Sequence, residues 1–434
     1  MSEVMVGIIG LLVVLFLFLT GIELAFAMIL VGFVGFGYLI SWGAAFNLLA
    51  KDFYDVLNSY SFTVIPLFVL MGQVAFNSGI AKRLFDAANK FIGHVPGGLA
   101  MATVGGATVF KAICGSSPAT SATFAAVAVP EMERYGYDRR LSTGIVATVG
   151  TLGILLPPSV TLIIYGIITD QSIGRLFLAG IFPGLLIALF FIGVIYGWCK
   201  MNPALAPKSE RSTWSQRLKT VPDVIMVLII FVLVIGGILG GFFTPTEAGS
   251  VGTFLVLLLA FSKRDLNLKG FAKSAVESVR AACMVLLLIA ASTVLGHFIA
   301  VTKIPMITAD WIVGLQMPSW VILIFIALIY LIGGSFIDDL AFMILATPIF
   351  YPAIIQLGYN PLWFGILIGI TVMIGVVIPP MAICVFVVKQ ITKTPLGVIY
   401  AGVYPFLASL IVGGILVFMF PAIATWLPGV LMPG

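Results

Sequence analysis

Two short stretches of this chain combine residues able to hold an ion or an acid with backbone unsuited to regular helix. The first runs from Lys111 through Gly115-Ser116-Ser117-Pro118 to Thr120-Ser121, so four hydroxyls crowd round a Gly-Pro break. The second is Gly333-Gly334-Ser335-Phe336-Ile337-Asp338-Asp339, two carboxylates inside an otherwise apolar stretch from Trp320 to Pro348. Ionisable groups in such surroundings are costly and usually functional. Each stretch is followed by a second break: Thr148-Val149-Gly150-Thr151-Leu152-Gly153 before Pro157-Pro158, and Gly369-Ile370-Thr371-Val372-Met373-Ile374-Gly375 before Pro379-Pro380. A proline removes a backbone donor and frees carbonyls one turn back, and glycine lets other groups approach them. Freed carbonyls with hydroxyls beside them suit a hard cation such as Na⁺. Lys111 fits either of two roles, pairing with a bound carboxylate or with an Asp of the second stretch. Thr148 and Thr151 either serve the site or hydrogen-bond back to their own helix.

The elements that position these residues are membrane helices. Of 434 residues, 61% are hydrophobic and only 9% charged, with a mean hydropathy of +1.20. That excludes a water-soluble fold. Runs such as Val4 to Ile40, Met226 to Gly241 and Leu396 to Phe420 meet the need for about 20 apolar residues per span. Val4 to Ile40 is too long for one upright span and barely long enough for two with a turn at Gly21; it lacks the features of a cleaved signal. The net charge of +5 falls in loops between apolar spans, as positive-inside asymmetry requires, and gives no support to nucleic-acid binding. Cys114, Cys199, Cys283 and Cys384 are scattered without metal or disulfide spacing. His94 and His297 build no relay, and no Walker A or Ser/His/Asp set is present. An enzyme therefore has no residues to carry it.

Proline spacing exposes a duplication. Pro96, Pro130, Pro157, Pro158 and Pro183 recur 222 residues later as Pro318, Pro352, Pro379, Pro380 and Pro405, leaving only Pro118 of that group unmatched. Chance predicts about 0.3 matches. The loop Glu133 to Arg140 is basic, whereas its counterpart Ile355 to Leu362 has no charge, so the two copies face opposite ways. Lys82/Arg83, Lys200 to Lys219, Lys263 to Lys273 and Lys389/Lys393 then belong to the cytoplasmic side, and Lys51 to Asp55 to the other. The side of the N-terminus stays open. This alternation needs one re-entrant hairpin per copy, with tips at Gly115-Ser116-Ser117-Pro118 and Gly333 to Asp339. Ser117 reads as the cap and Pro118 as the first residue of the returning helix. Glu247 closes a capping box with Thr244. The expected fold is an all-α polytopic membrane protein of two inverted repeats with re-entrant helical hairpins and broken helices. Its divisions are 1–95 (scaffold), 96–200 (first hairpin and broken helix), 201–305 (basic loop and scaffold) and 306–434 (second hairpin and broken helix).

Pro96-Gly97-Gly98-Leu99, Gly115-Ser116-Ser117, Pro130-Glu131-Met132, Gly136-Tyr137-Asp138, Gly150 to Ser159 and Leu176 to Gly184 resemble the large membrane subunit of tripartite ATP-independent periplasmic (TRAP) transporters. Thr244-Pro245-Thr246-Glu247-Ala248 and Gly334-Ser335-Phe336-Ile337-Asp338 extend the resemblance into the second half. It implies an elevator-type, Na⁺-driven importer of organic acids in the bacterial inner membrane. It implies two partners, a small four-helix membrane subunit and a soluble periplasmic substrate-binding protein. By the family pattern Ser116, Ser117, Gly150 and Thr151, with Gly153 beside them, serve one Na⁺ site; Ser335, Asp338, Gly369 and Gly375, with Thr371, serve the other. Cys114 stands where the family commonly has Ser, and Lys111 where a small or apolar residue is usual. The carboxylate substrate, a C4-dicarboxylate, a sialic acid or a similar acid, is expected between the two tips, beside Lys111, Pro118, Thr120, Ser121, Pro157, Asp339 and Pro379. A stand-alone Na⁺/dicarboxylate symporter is the alternative; a channel fits the asymmetric duplication poorly.

Overall fold

The computed structural model describes residues 2–207, 211–336, 338–380 and 382–432, with the backbone alone at 313 and 339. Its helices repeat at the offset the prolines announce. Ser117–Arg134 shifted by 222 residues is Asp339–Gln356. Gly98–Lys111 answers to Ser319–Phe336, Val160–Ile168 to Ile383–Thr392, and Ile173–Met201 to Leu396–Met419. The same offset relates Glu3–Leu19 to Val221–Leu239 and Leu24–Leu39 to Pro245–Ser262. The duplication therefore runs through almost the whole chain, beyond the proline-marked part. Residues 4 to 40 form the two helices that their length allowed, with Gly21 in the left-handed region between them.

One pair breaks the symmetry. The first copy has Trp42–Asn58, a tight turn at Tyr60–Thr63, and Val64–Asn77, where the second has one helix, Leu268–Val301. The sequences explain it. Asn58-Ser59-Tyr60-Ser61 offers side chains that compete for backbone hydrogen bonds, whereas the matching positions, from Arg280 to Cys283, are better helix formers. At 34 residues the long helix extends about 51 Å, so it must tilt or protrude from a core about 30 Å thick. His297 on it bonds the buried Asp52 carboxylate at 2.9 Å, tying it to Trp42–Asn58.

Among the described residues seven helices are long and apolar enough to cross a membrane, and their loops sort by charge. Arg83 pairs with Asp265 and lies 3.5 Å from Asp223, which Lys263 meets at 3.2 Å. Arg217 donates to the Lys90 carbonyl, Arg139 to the Thr392 carbonyl, and the Asp138 N–H to the Leu205 carbonyl. The basic loops thus meet on one face. The long helix leaves that face beside Asp265 and ends at the other, where Lys303 pairs with Glu3 at 3.3 Å. Residue 3 therefore lies on the face opposite the basic loops. Tyr60, Thr244 and Thr246 are joined by hydrogen bonds on this opposite face, and the Thr244–Glu247 capping box is formed.

Both hairpins are present. Phe110 and Phe124 lock the arms of the first edge to face at 6.0 Å; the Tyr330 hydroxyl donates to Thr347 across the second at 3.1 Å. Each broken helix contains a cis Pro-Pro pair, Pro157-Pro158 and Pro379-Pro380. The Tyr165 hydroxyl donates to the Pro361 carbonyl at 2.8 Å and ties the two broken helices together.

Asp138 starts the first broken helix, Arg139–Val149, accepting from the Arg140 N–H at 2.7 Å and from its guanidinium at 2.8 Å. Arg140 holds this carboxyl below its usual range, against a smaller opposing effect of burial. Its stabilisation is complete above the ordinary carboxylate value near 3.9 and is lost as pH falls through the depressed one. Asp138→Ala is expected to destabilise by about 1 kcal/mol at neutral pH. In thermal unfolding of the detergent-purified chain, its difference from wild type should shrink below pH about 4.

Candidate functional site

A cavity of about 200 Å³ lies between the two hairpin tips and two further helices, Val64–Asn77 and Leu268–Val301. The first tip contributes Gly115, Ser116, Ser117, Pro118 and Ala119; the second contributes Asp338 and Leu340. Val160 and Thr161 come from the restart of the first broken helix, and Ile383 and Cys384 from that of the second. Phe68, Val69, Gly72 and Gln73 of Val64–Asn77, with Ala281, Met284 and Val285 of the long helix, close the remaining side.

Four helices begin at this cavity: Ser117–Arg134, Val160–Ile168, Asp339–Gln356 and Ile383–Thr392. A helix start presents unpaired N–H groups and the positive end of its dipole, so their convergence favours an anion. Local sequence explains three of the starts. Ser116, in extended conformation, accepts from the Ala119 N–H at 3.3 Å. It is the cap in place of Ser117, and Pro118 stands second in the helix, where its missing N–H is equally harmless. Ser159 accepts from the Leu162 N–H at 3.3 Å and donates to the Ile154 carbonyl. Asp338 accepts from the Ala341 N–H at 3.2 Å while still lining the cavity.

Behind the first tip, the break and the hairpin touch through glycines. A Cβ at Gly150 would overlap the Ser121 hydroxyl and lie 2.9 Å from the Ser117 carbonyl oxygen; one at Gly115 would overlap the Pro158 carbonyl. The Ser121 hydroxyl is buried with no partner among the described residues. Thr120 donates to the Ser116 carbonyl at 3.0 Å. Thr148 and Thr151 bond back to the Gly144 and Thr148 carbonyls. Lys111 is fully buried, and its Nζ donates to the Ser116 carbonyl at 2.9 Å.

At the second tip, a Cβ on Gly375 would lie 3.3 Å from the Gly334 carbonyl carbon and 3.6 Å from the Ser335 nitrogen, so tip and break meet there also. Ser335 donates back to the Leu331 carbonyl, and Thr371 to that of Ile368. Gly369 is elsewhere: a Cβ there would press on Leu155 of the first broken helix at 2.8 Å, so this glycine serves the crossing of the two helices. Of the residues expected beside an acid, Pro118 reaches the cavity wall. Lys111, Thr120, Ser121 and Pro157 sit behind it, and Pro379 is off it. The Asp339 side chain lies outside the described residues. Val160 and Thr161 also line the cavity, and Pro157-Pro158-Ser159 signals a helix start at them; the wall formed by Val64–Asn77 and the long helix has no comparable local signal.

Two inverted repeats, each with a re-entrant hairpin and a broken helix around one shared cavity, define a polytopic membrane transporter. The chain belongs to the TRAP large permease family: residues 11–423 match the tripartite ATP-independent periplasmic transporter, DctM component. It is 36% identical to the C4-dicarboxylate TRAP transporter large permease protein DctM of Pseudomonas aeruginosa, over 88% of this chain and 89% of that one. It is 32% identical to the sialic acid TRAP transporter large permease protein SiaM of Vibrio cholerae, over 95% and 96%. Among solved structures the YdaH transporter of Alcanivorax borkumensis superposes with a TM-score of 0.59 at 14% identity, over 88% of this chain and 89% of that one. MtrF of Neisseria gonorrhoeae, an antimetabolite efflux pump, superposes at 0.60 and 14%, over 89% and 84%. These two share the fold. The protein is thus an integral inner-membrane permease subunit of a tripartite system, and not an enzyme.

Proposed function

We propose that this subunit imports a small organic acid by Na⁺ symport, receiving it from a periplasmic binding protein and working beside a small four-helix membrane subunit. The observation that carries the reading is the cavity itself, where four helix starts face one space and the Asp338 carboxylate stands on its wall. Helix starts attract an acid, and Asp338 repels one unless a cation lies between them. A bound Na⁺ at the tips and breaks resolves that conflict and makes acid binding depend on the ion. The two hairpins, within 96–200 and 306–434, form the moving part, and helices of 1–95 and 201–305 form the scaffold it slides along. The cavity's position between these parts supports an elevator cycle.

Reconstitution with both partners in liposomes tests the reading. Uptake of a labelled C4-dicarboxylate should follow an inward Na⁺ gradient and stop without it; uptake indifferent to Na⁺ removal overturns the coupling. Transport by this chain alone would instead support the stand-alone symporter.

A further inference from the structure

We propose that the ε-ammonium of Lys111 is itself the cation of the first repeat, a tethered charge in the seat where the second repeat takes Na⁺. The inference rests on the Na⁺-symport reading and departs from it in one respect: ion coupling runs through the second repeat alone.

Lys111 ends the first hairpin arm and turns inward beneath the tip. Its Nζ donates to the Ser116 carbonyl at 2.9 Å. It also lies across Gly153 so closely that a Cβ there would overlap Nζ and come within 2.8 Å of Cε. The ammonium thus bridges a tip carbonyl and a helix-break glycine, the two parts expected to enclose a cation. A buried ammonium is expensive unless compensated. Among the described residues no carboxylate pairs with it, and the ionisable groups facing it are the thiols of Cys114 and Cys384. Compensation falls to oxygens. Gly150 and Gly153 are three apart on the tight turn Gly150–Ile154, so they share one edge of it. On that edge the unpartnered Ser121 hydroxyl covers Gly150 as Lys111 covers Gly153.

The repeats differ where this requires. At the offset of 222, Lys111 answers to Gly333, and Ser116 and Ser117 answer to Asp338 and Asp339. The first tip carries a fixed positive charge and neutral hydroxyls; the second has no fixed cation and two acids to draw a mobile one. A cycle that moves one ion fewer loses that ion's accumulating power, about tenfold for each tenfold Na⁺ gradient.

Equilibrium binding of radiolabelled Na⁺ to the full chain in detergent tests this. Wild type should bind one ion, and Gly375→Ala, at the second seat, should abolish it. Lys111→Ala should bind one ion more than wild type and keep that ion when combined with Gly375→Ala, whereas Lys111→Arg should not gain it. A folded Lys111→Ala that binds no extra Na⁺ overturns the proposal while leaving symport intact. Absence of Na⁺ binding in wild type overturns both. If Lys111→Ala does not fold, the wild-type comparison still decides: Na⁺ that persists in Gly375→Ala overturns the tethered cation, and its loss supports it.

Discussion

Gly402→Ala is expected to destabilise the folded chain by about 3 kcal/mol, the upper end for an overpacked interior site. Gly402 lies in Leu396–Met419 where that helix crosses Arg139–Val149. A Cβ on it would overlap the Arg140 carbonyl and lie 3.0 Å from the Gly144 Cα. The obstacle is backbone on both sides, so no side-chain rotation relieves it and the helices must separate. Leu141, Ile145, Val403 and Phe406 are wholly buried near the crossing, and separating the helices opens gaps among them. Gly397 is the control, since a Cβ there meets nothing within 4 Å; alanine at 397 should be neutral or slightly stabilising through its better helix propensity. Thermal unfolding in detergent should place Gly402→Ala well below both wild type and Gly397→Ala. Equal melting of all three would mean that the crossing adapts.

Much of this architecture was legible because it is written in residues with strong local rules. Proline at a fixed offset gave the duplication, and the charge difference between Arg134 to Arg140 and Gln356 to Pro361 gave its inversion. The same arithmetic stopped at Pro96 because nothing before it repeats as visibly, although the helices do. The hairpin tips were legible from Gly-Ser-Ser-Pro and Gly-Gly-Ser, but the cap fell one residue earlier, on Ser116, because proline is tolerated at either of the first two helical positions. What the sequence hid is tertiary. Phe68, Gln73 and Met284 are ordinary members of apolar helices, and only the packing of those helices against the hairpins turns them toward the cavity. Gly369 reads as part of a break and serves a helix crossing. Lys111 reads as a charge that needs an acid partner; the structure points it at a carbonyl and a glycine instead.

Asp338→Asn is expected to weaken Na⁺ binding and Na⁺-driven uptake by about ten- to a hundredfold while leaving the fold intact. The argument separates the two tasks of this side chain. As a cap it accepts from the Ala341 N–H at 3.2 Å, and asparagine performs that task about as well as aspartate. As a charge on the cavity wall it attracts the cation proposed for the second tip, and asparagine cannot replace it. A hydrogen bond or contact to a charged group contributes about 1.5–3 kcal/mol, which is about ten- to a hundredfold in affinity. Asp338→Ala removes the cap as well and should cost about 1 kcal/mol more in stability. Melting temperature and Na⁺ dependence of uptake therefore move independently across the two variants: near wild type and impaired for Asp338→Asn, lowered and impaired for Asp338→Ala. Normal Na⁺ dependence in a folded Asp338→Asn protein would confine Asp338 to the structural task and remove its carboxylate from the coupling mechanism. Because Lys111 supplies a fixed charge only to the first repeat, that outcome would leave Asp339, the Ser335 and Thr371 hydroxyls and the carbonyls of the tip and break to hold the ion in the second repeat.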